Sequence, residues 1–371
     1  MHSSDELYGS DRVALDVAAV LAQHADVEVW LPDDGNAGSG PLSARLRARG
    51  IRVVARPLPI LRRRNLNLRG LRQMASAARS VRDALVHERF DLVYLTTSAC
   101  LPIAPLARLA RAHHVIAHIQ EQWRPAERVV LGMMSSWCTQ IVAVSEAARS
   151  AAGASRPSRT SVVPNATPDL SGFRPAAAAR MASTARGLPR YVVASRWAEG
   201  KGHATLLSAW ELAGCPGELV ILGGPPALGR PVDVAAMIAA HVSNPKTVTV
   251  IGEVSDAISY FVQADAVVLP SDDPEGLGLV LVEAASAGIP SIASRTGGPE
   301  EVVSDGLSGW LFEPGNAVQL GGLFARLTRG DLARAGRAAR TQYENQFTEE
   351  LFRLRMETVV APAFAANGRR R

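Results

Sequence analysis

The chain of 371 residues is 47% hydrophobic, 20% charged and only 5% aromatic, the balance of a globular protein long enough for two domains. Its three cysteines, Cys100, Cys138 and Cys215, are odd in number and lack any Cys-x-x-Cys spacing. That excludes a disulfide framework or zinc ribbon and fits the reduced thiols of a cytoplasmic protein. The net charge of +5 is uneven: residues 1–168 hold 21 Arg and Lys against 14 Asp and Glu (+7), and the remainder holds 19 against 21 (−2).

Short apolar runs alternate with helical patterns, the signature of a parallel α/β sheet. The first residues, Met-His-Ser-Ser-Asp-Glu, carry neither the basic nor the apolar segment of a signal peptide. A helix over 11–23, capped by Ser10 or Asp11, leaves no room for a strand before it. Segment 2–12 therefore reads as the turn after a missing first strand of the N-terminal domain, expected upstream of Met1. Strands follow at 27–31, 51–54, 92–95, 115–118, 140–144 and 161–163. Helices lie over 42–49, 68–86 and 104–112, with another after Ser145. A Pro- and Ala-rich piece over 164–189 reads as a linker. The plan then repeats, with strands at 191–194, 218–222, 247–251, 266–269, 291–293 and 309–312, and a last helix over 351–360. The longest apolar stretch, 277–293, is interrupted by Glu283 and Pro290, so no spanning helix is expected. The reading is two Rossmann-like doubly wound domains, 1–168 and 169–345, with 346–371 crossing back to the first.

From Arg45 to Arg82 there are twelve arginines and no acid. Such a run is either a solvated helix face or a surface for anionic membrane lipid or a phosphate-bearing acceptor. Without interleaved aromatics or a binding module, nucleic acid is not the expected partner.

The strongest chemical signal follows the strand ending at Leu269. Asp272-Asp273-Pro274-Glu275-Gly276-Leu277-Gly278-Leu279 forms a glycine-bearing loop that runs into a helix. A helix start offers free N–H groups and a positive dipole end to a phosphate, and Gly276 and Gly278 let backbone approach a ligand. Glu275 in the loop and Glu283 in the helix can reach two hydroxyl-rich parts of one ligand. A second cluster, Ser195-Arg196-Trp197-Ala198-Glu199-Gly200-Lys201-Gly202-His203, follows the strand 191–194. It projects Arg196 and Lys201 from the edge where open α/β sheets bind ligands. Lysine is scarce, Lys201 and Lys246 standing against 38 Arg.

Glu275-Gly276-Leu277-Gly278-Leu279 with Glu283-Ala284 and Gly288-Ile289-Pro290 resembles the E-x7-E signature of family-4 retaining glycosyltransferases of the GT-B fold, in which two doubly wound domains face a cleft. Ser294 to Glu301 and Gly306-Leu307-Ser308-Gly309 continue the likeness. The resemblance implies that Glu275 binds hydroxyls of the transferred sugar and Glu283 the ribose of the nucleotide. Amides of Gly276, Leu277, Gly278 and Leu279 would face the diphosphate and sugar, with Arg196 and Lys201 on the pyrophosphate. Gly223-Gly224-Pro225 and Gly252-Glu253-Val254 resemble the family's loops for strand packing and for the nucleobase, with Val254 contacting the base and Gly224 on the donor side. Tyr8-Gly9-Ser10-Asp11 resembles the glycine loop of the first domain, and Gly9 and Ser10 would line the donor phosphates. His118 ends a strand where the family often places a histidine near the sugar, although a lone histidine is more often structural. Gln120 stands where a second His or Asp is frequent. Ser145 reads as a helix cap and Asn165, followed by Ala166 rather than Gly, as a hinge residue. Asp272-Asp273 is weak ground for a metal site. No metal or cofactor is expected, the cations supplying the charge, and a nucleoside-diphosphate sugar is the implied co-substrate.

The implied function is retaining hexosyl transfer from a nucleotide sugar to a glycan, lipid-linked or small-molecule acceptor. The implied location is cytoplasmic, with peripheral contact at the inner face of the cell membrane through the Arg45 to Arg82 region. An epimerase or phosphorylase on the same fold, or a non-catalytic nucleotide-sugar-binding subunit, are the competing readings. No Ser-His-Asp or activated-Cys motif suggests an enzymic nucleophile.

Overall fold

The computed structural model describes residues 1–33, 38–62, 65, 67–153, 157–173, 188–226, 230–254 and 256–365. Arg63 and Arg64 of the basic run, and linker residues 174–187, lie outside the described residues. The chain divides into two compact units, Met1–Asn165 together with the chain from Glu350, and Ala166–Glu349.

In the first unit, β1 (Glu28–Pro32) pairs in parallel with β2 (Arg52–Arg56). Strands β3 (Leu92–Leu95), β4 (His114–Ile119), β5 (Gln140–Ala143) and β6 (Thr160–Val162) form a second parallel sheet in that order. Met1 bridges the two sheets. Its amino group donates to Tyr94 O (2.7 Å), its carbonyl accepts from Thr96 N–H (3.1 Å), and His2 N–H donates to Trp30 O (3.1 Å). Met1 thus holds a strand position between β1 and β3, beside a cavity of about 470 Å³ lined by Val17, Leu21, Val29 and Leu92.

The first helix, Gly9–Ala22, begins earlier than the sequence suggests, and neither Ser10 nor Asp11 is its cap. Tyr8 is the N-cap, and Asp11 sits inside the first turn. There its Oδ2 accepts from Tyr8 N–H (2.9 Å) while Oδ1 meets His2 Nε2 (2.7 Å) and Ser4 Oγ (2.6 Å). His2 Nδ1 in turn meets Thr96 Oγ1 (2.5 Å). Burial works against the Asp11 carboxylate, yet these hydrogen bonds hold its pKa below the ordinary value. A polar residue is drawn into the helix because the buried groups around it need a common acceptor.

Each step β2→β3→β4→β5 moves the same way across the sheets. Right-handed crossovers therefore put helices Leu68–Glu88, Ile103–Leu109 and Pro125–Ser135 on one face. Helix Leu68–Glu88 packs on Ile103–Leu109, which packs on Pro125–Ser135. The last of these is a helix that the sequence reading did not place. Helix Glu349–Ala365 returns to this unit, where Met356 Sδ lies 4.0 Å from Tyr94 Oη.

The second unit is one parallel sheet of β7 (Arg190–Ala194), β8 (Glu218–Leu222), β9 (Val248–Gly252), β10 (Ala266–Leu269), β11 (Ser291–Ser294) and β12 (Gly309–Phe312). Its order is β12-β11-β10-β7-β8-β9. Runs such as Leu219-Val220-Ile221 and Ala266-Val267-Val268 are buried on both faces, as a helix-covered parallel sheet requires. On one side Tyr191, Trp210 and Phe324 pack edge to face at centroid distances of 4.9–5.7 Å. At the start of this unit Arg340 forks onto Asp169 (2.5 and 2.7 Å), and Tyr343 Oη donates to Thr167 O (2.8 Å). Asn165, read as a hinge residue, is buried at the division between the units.

Candidate functional site in the second unit

The sheet order reverses at β7. The chain steps from β7 outward through β8 and β9, then returns to lay β10 on the other side. Loops leaving the C-terminal ends of β7 and β10 diverge at such a switch point, and a ligand crevice opens between them. Loop 195–202 follows β7 and loop 270–278 follows β10. They are stitched together, since Asp272 and Asp273 N–H both donate to Gly200 O (2.9 and 3.1 Å). Thr205 Oγ1 donates to Asp272 Oδ1 (3.1 Å). Asp272 thus ties loop 270–278 to the first turn of helix His203–Leu212.

Two glycines make this approach achievable. Gly202, with φ +70°, caps helix His203–Leu212, and a Cβ there would lie 1.7 Å from Pro270 O. Gly298 lies so close to loop 270–278 that a Cβ would meet Gly276 O at 2.2 Å. Gly298 N–H donates to Glu275 O, and Glu275 N–H to Thr296 O, both at 3.2 Å. The loop after β10 is therefore held from both neighbouring loops.

This scaffold brings Lys201 and Glu275 together: Lys201 Nζ donates to Glu275 Oε1 at 2.5 Å, with side chains 27% and 16% exposed. Ser271 Oγ donates to the same oxygen (2.5 Å), and Ser294 Oγ donates to Ser271 O (2.5 Å). Sequence reading missed Ser271, and it took Ser294 only as the start of the likeness that runs to Glu301, with no role at Glu275. Their only signal is position at the ends of β10 and β11, where side chains of a parallel sheet reach the crevice. Gly276, Leu277 and Gly278 complete the loop, and helix Leu279–Ser286 starts after Gly278 at φ +82°. Leu277 is buried, and Glu283 stands half-exposed on the helix.

Arg196 is exposed just past β7. The loop after β8 comes near through Trp197 N–H, which donates to Gly224 O (2.8 Å). Gly224 adjoins Glu253, and Val254 packs partly into the core beside β8. His203 is buried, and with Lys201 nearby its pKa is lowered to about 4, burial being the larger cause. Among the described residues no group of three His, Cys, Asp or Glu could hold a metal ion.

Gly9, Ser10 and His118 belong to the other unit. Gly9 is exposed and Ser10 half-buried at the start of helix Gly9–Ala22. His118 lies on β4 and is fully buried. Its Nδ1 is 3.1 Å from Tyr94 Oη, and its Nε2 has no hydrogen-bond partner among the described residues. Burial lowers its pKa to about 3, so the ring is neutral. Ser145 is a helix cap, its Oγ accepting from Ala148 N–H (2.9 Å).

Two family models match consecutive parts of the chain, Glycosyltransferase Family 4 over residues 8–169 and Glycosyl transferases group 1 over residues 183–343. The amylovoran biosynthesis glycosyltransferase AmsK of Erwinia amylovora is 33% identical over 99 residues, a match spanning 25% of this chain and 24% of that protein. The GDP-mannose-dependent alpha-(1-6)-phosphatidylinositol monomannoside mannosyltransferase of Mycobacterium tuberculosis is 29% identical over 302 residues, 74% of each chain. Among solved structures, Anabaena HepE in complex with UDP-glucose superposes with a TM-score of 0.77 at 21% identity, over 97% of this chain and 98% of that one. With both units matched and a GT-B architecture of two Rossmann-like domains, the chain belongs to the family-4 glycosyltransferases.

Proposed function

We propose that this protein is a retaining glycosyltransferase that moves a hexose from a nucleoside-diphosphate sugar to a glycan, lipid-linked or small-molecule acceptor. The carrying observation is the Lys201–Glu275 pair, set beside the Gly276–Gly278 loop and a helix start at the switch point of the second unit. The printed descriptions of HepE with UDP-glucose and of the GDP-mannose-dependent relative support a nucleotide-sugar donor.

Lys201 and Glu275 neutralise each other across the two loops. A diphosphate carries more charge than one carboxylate and competes for Lys201. Ser271 then holds Glu275 Oε1, and the carboxylate is free to accept from sugar hydroxyls. When the bond between the anomeric carbon and the diphosphate oxygen breaks, negative charge grows on that oxygen. Lys201 and Arg196 are the cations that stabilise it, the dominant contribution in such transfers. The acceptor oxygen bonds to the same face of the anomeric carbon, and its proton passes to the departing phosphate oxygen. The two cations supply the charge that a metal would otherwise bring, so a chelator should leave transfer unchanged.

A thermal-shift panel of nucleoside diphosphates tests the donor assignment, because a ligand of the native state raises its melting temperature. One nucleotide should give the largest shift, and Glu283→Ala should abolish it. An unchanged shift in that variant would refute the site.

A further inference from the structure

We infer that Arg295 is a positioning residue for the sugar-binding end of the donor site, acting through the backbone of Glu275. This role rests on the reading of Glu275 as the carboxylate that accepts from hydroxyls of the transferred sugar. Arg295 is the first residue past β11, and its N–H donates to Phe312 O at the end of β12 (2.8 Å). Its guanidinium gathers three carboxylates. Nη2 lies 2.5 Å from Asp305 Oδ2, Nε 3.4 Å from Glu313 Oε1 and Nη1 3.8 Å from Glu300 Oε2. A planar fork can serve three acids at once, which a single ammonium does poorly. Two of these acids are themselves tied to backbone. Asp305 Oδ1 accepts from Leu311 N–H in β12 (2.9 Å), and Glu300 Oε1 accepts from Gly297 N–H (3.2 Å).

The segment anchored in this way is the one that fixes Glu275. Just past Arg295, Thr296 O accepts from Glu275 N–H and Gly298 N–H donates to Glu275 O, each at 3.2 Å, one step of parallel pairing. Lys201 and Ser271 hold the Glu275 carboxylate, whereas loop 295–298 sets where its backbone sits. Stability is not what the cluster supplies. The side chain of Arg295 is 33% exposed and those of its acids 43–62%, and solvated pairs of that kind contribute little. Geometry is what it supplies. A neutral side chain at this position leaves three carboxylates facing one another without the guanidinium, and their repulsion draws Glu300 off Gly297 N–H. Loop 295–298 then loses its hold on β12, and Glu275 drifts from Lys201. A displacement of about 1 Å in a group that orients a substrate can cost about 10²-fold. In the donor reading the diphosphate falls to Lys201 and Arg196 on loop 195–202, so its binding is spared.

The test is calorimetric titration of the full chain with UDP, GDP and their glucose, galactose, N-acetylglucosamine and mannose conjugates. Each conjugate is compared with its own diphosphate. Arg295→Met should keep diphosphate affinity within about twofold and weaken the preferred conjugate about tenfold or more, the loss of one charged hydrogen bond. Arg295→Lys should weaken it about threefold, since an ammonium replaces a fork that spans three acids. In a Glu275→Gln background Arg295→Met should weaken the conjugate less than about threefold further, because residues that act as one unit are not additive. If wild type binds none of these nucleotides, the donor-site reading fails and this role with it. With wild type binding, three results overturn the inference alone. They are wild-type affinity for the conjugate, equal proportional losses of diphosphate and conjugate as a merely structural residue would give, or a loss that multiplies in full with that of Glu275→Gln. Should the methionine variant not fold, the same three comparisons decide on Arg295→Lys.

Discussion

Replacing Gly202 by alanine should damage the protein far more than replacing Gly306, although both glycines have nearly the same backbone. Their φ values are +70° and +74°. A left-handed conformation costs a residue with a side chain about 1–2 kcal/mol, and this applies to both. The difference lies in space. Nothing lies within 4 Å of a Cβ at Gly306, whereas at Gly202 it would be 1.7 Å from Pro270 O, 1.3 Å short of the 3.0 Å that real contacts respect. To yield, Pro270 must drag loop 270–278 away from loop 195–202. That breaks the bonds from Asp272 and Asp273 N–H to Gly200 O and strains Thr205 to Asp272. Each such bond is worth about 1 kcal/mol net, so Gly202→Ala should cost about 3–5 kcal/mol in total. At about 2–4 °C per kcal/mol for a unit of this size, Gly306→Ala should lower the melting temperature by about 2–8 °C. Gly202→Ala should lower that of the same unit by about 6–20 °C and weaken nucleotide binding, because Lys201 and Glu275 sit on the two loops being parted. Calorimetry of both variants beside a nucleotide titration decides the matter. Equal melting decrements, or wild-type nucleotide affinity in Gly202→Ala, would show that the loops are not held in register by this contact.

Lys201→Met should lower kcat about 10²-fold or more while shifting the melting temperature only slightly, since the pair is partly solvated; a kcat within threefold of wild type contradicts its place beside the leaving group. His118 and His203, buried and neutral, have folded pKa values of about 3 and about 4 against about 6.5 unfolded. The unfolded chain therefore takes up protons first. Stability should be full above pH 6.5 and fall by about 1.4 kcal/mol per pH unit for each histidine below it, down to about pH 4 for His203. Denaturant midpoints between pH 8 and 5 measure this, His203→Asn should flatten the slope of the second unit, and a level wild-type profile would refute it. Arg340→Ala removes the fork on Asp169 and the bond to Ser286 O (2.5 Å). With Asp169 about half exposed, the loss should be about 1–2 kcal/mol, partly restored by lysine and read from the unfolding midpoint of the second unit.

The strands were legible because a helix-covered parallel sheet demands unbroken apolar runs, and Leu219–Leu222 or Ala266–Leu269 cannot be confused with an amphipathic surface. Glycine and charge made the donor loops equally plain: Glu275, Lys201 and the glycines lie beside strand ends in the sequence, so their meeting follows from the sheet order. The serines that position Glu275 were not legible. Ser271 and Ser294 are 0% exposed, and a buried hydroxyl looks in sequence like any strand-end serine. Asp11 failed for a related reason: an acid at a helix start reads as a cap, and only the fold brings His2, Ser4 and Thr96 around it.

Helix Pro125–Ser135 escaped notice for a physical reason. Periodicity identifies a helix by an apolar stripe facing a core, and here the stripe of Val129, Val130, Met133 and Trp137 faces outward while only Leu131 and Ser135 are buried. Burying such a stripe inside the unit would leave Arg124, Glu127 and Arg128 to the solvent side and cover the sheet with a continuous apolar layer, as helix His203–Leu212 does in the second unit with six buried residues. The first unit does not take that arrangement. At about 25 cal/mol per Å², leaving four large apolar side chains half-exposed forgoes several kcal/mol of folding free energy. Folding alone supplies no reason to retain it.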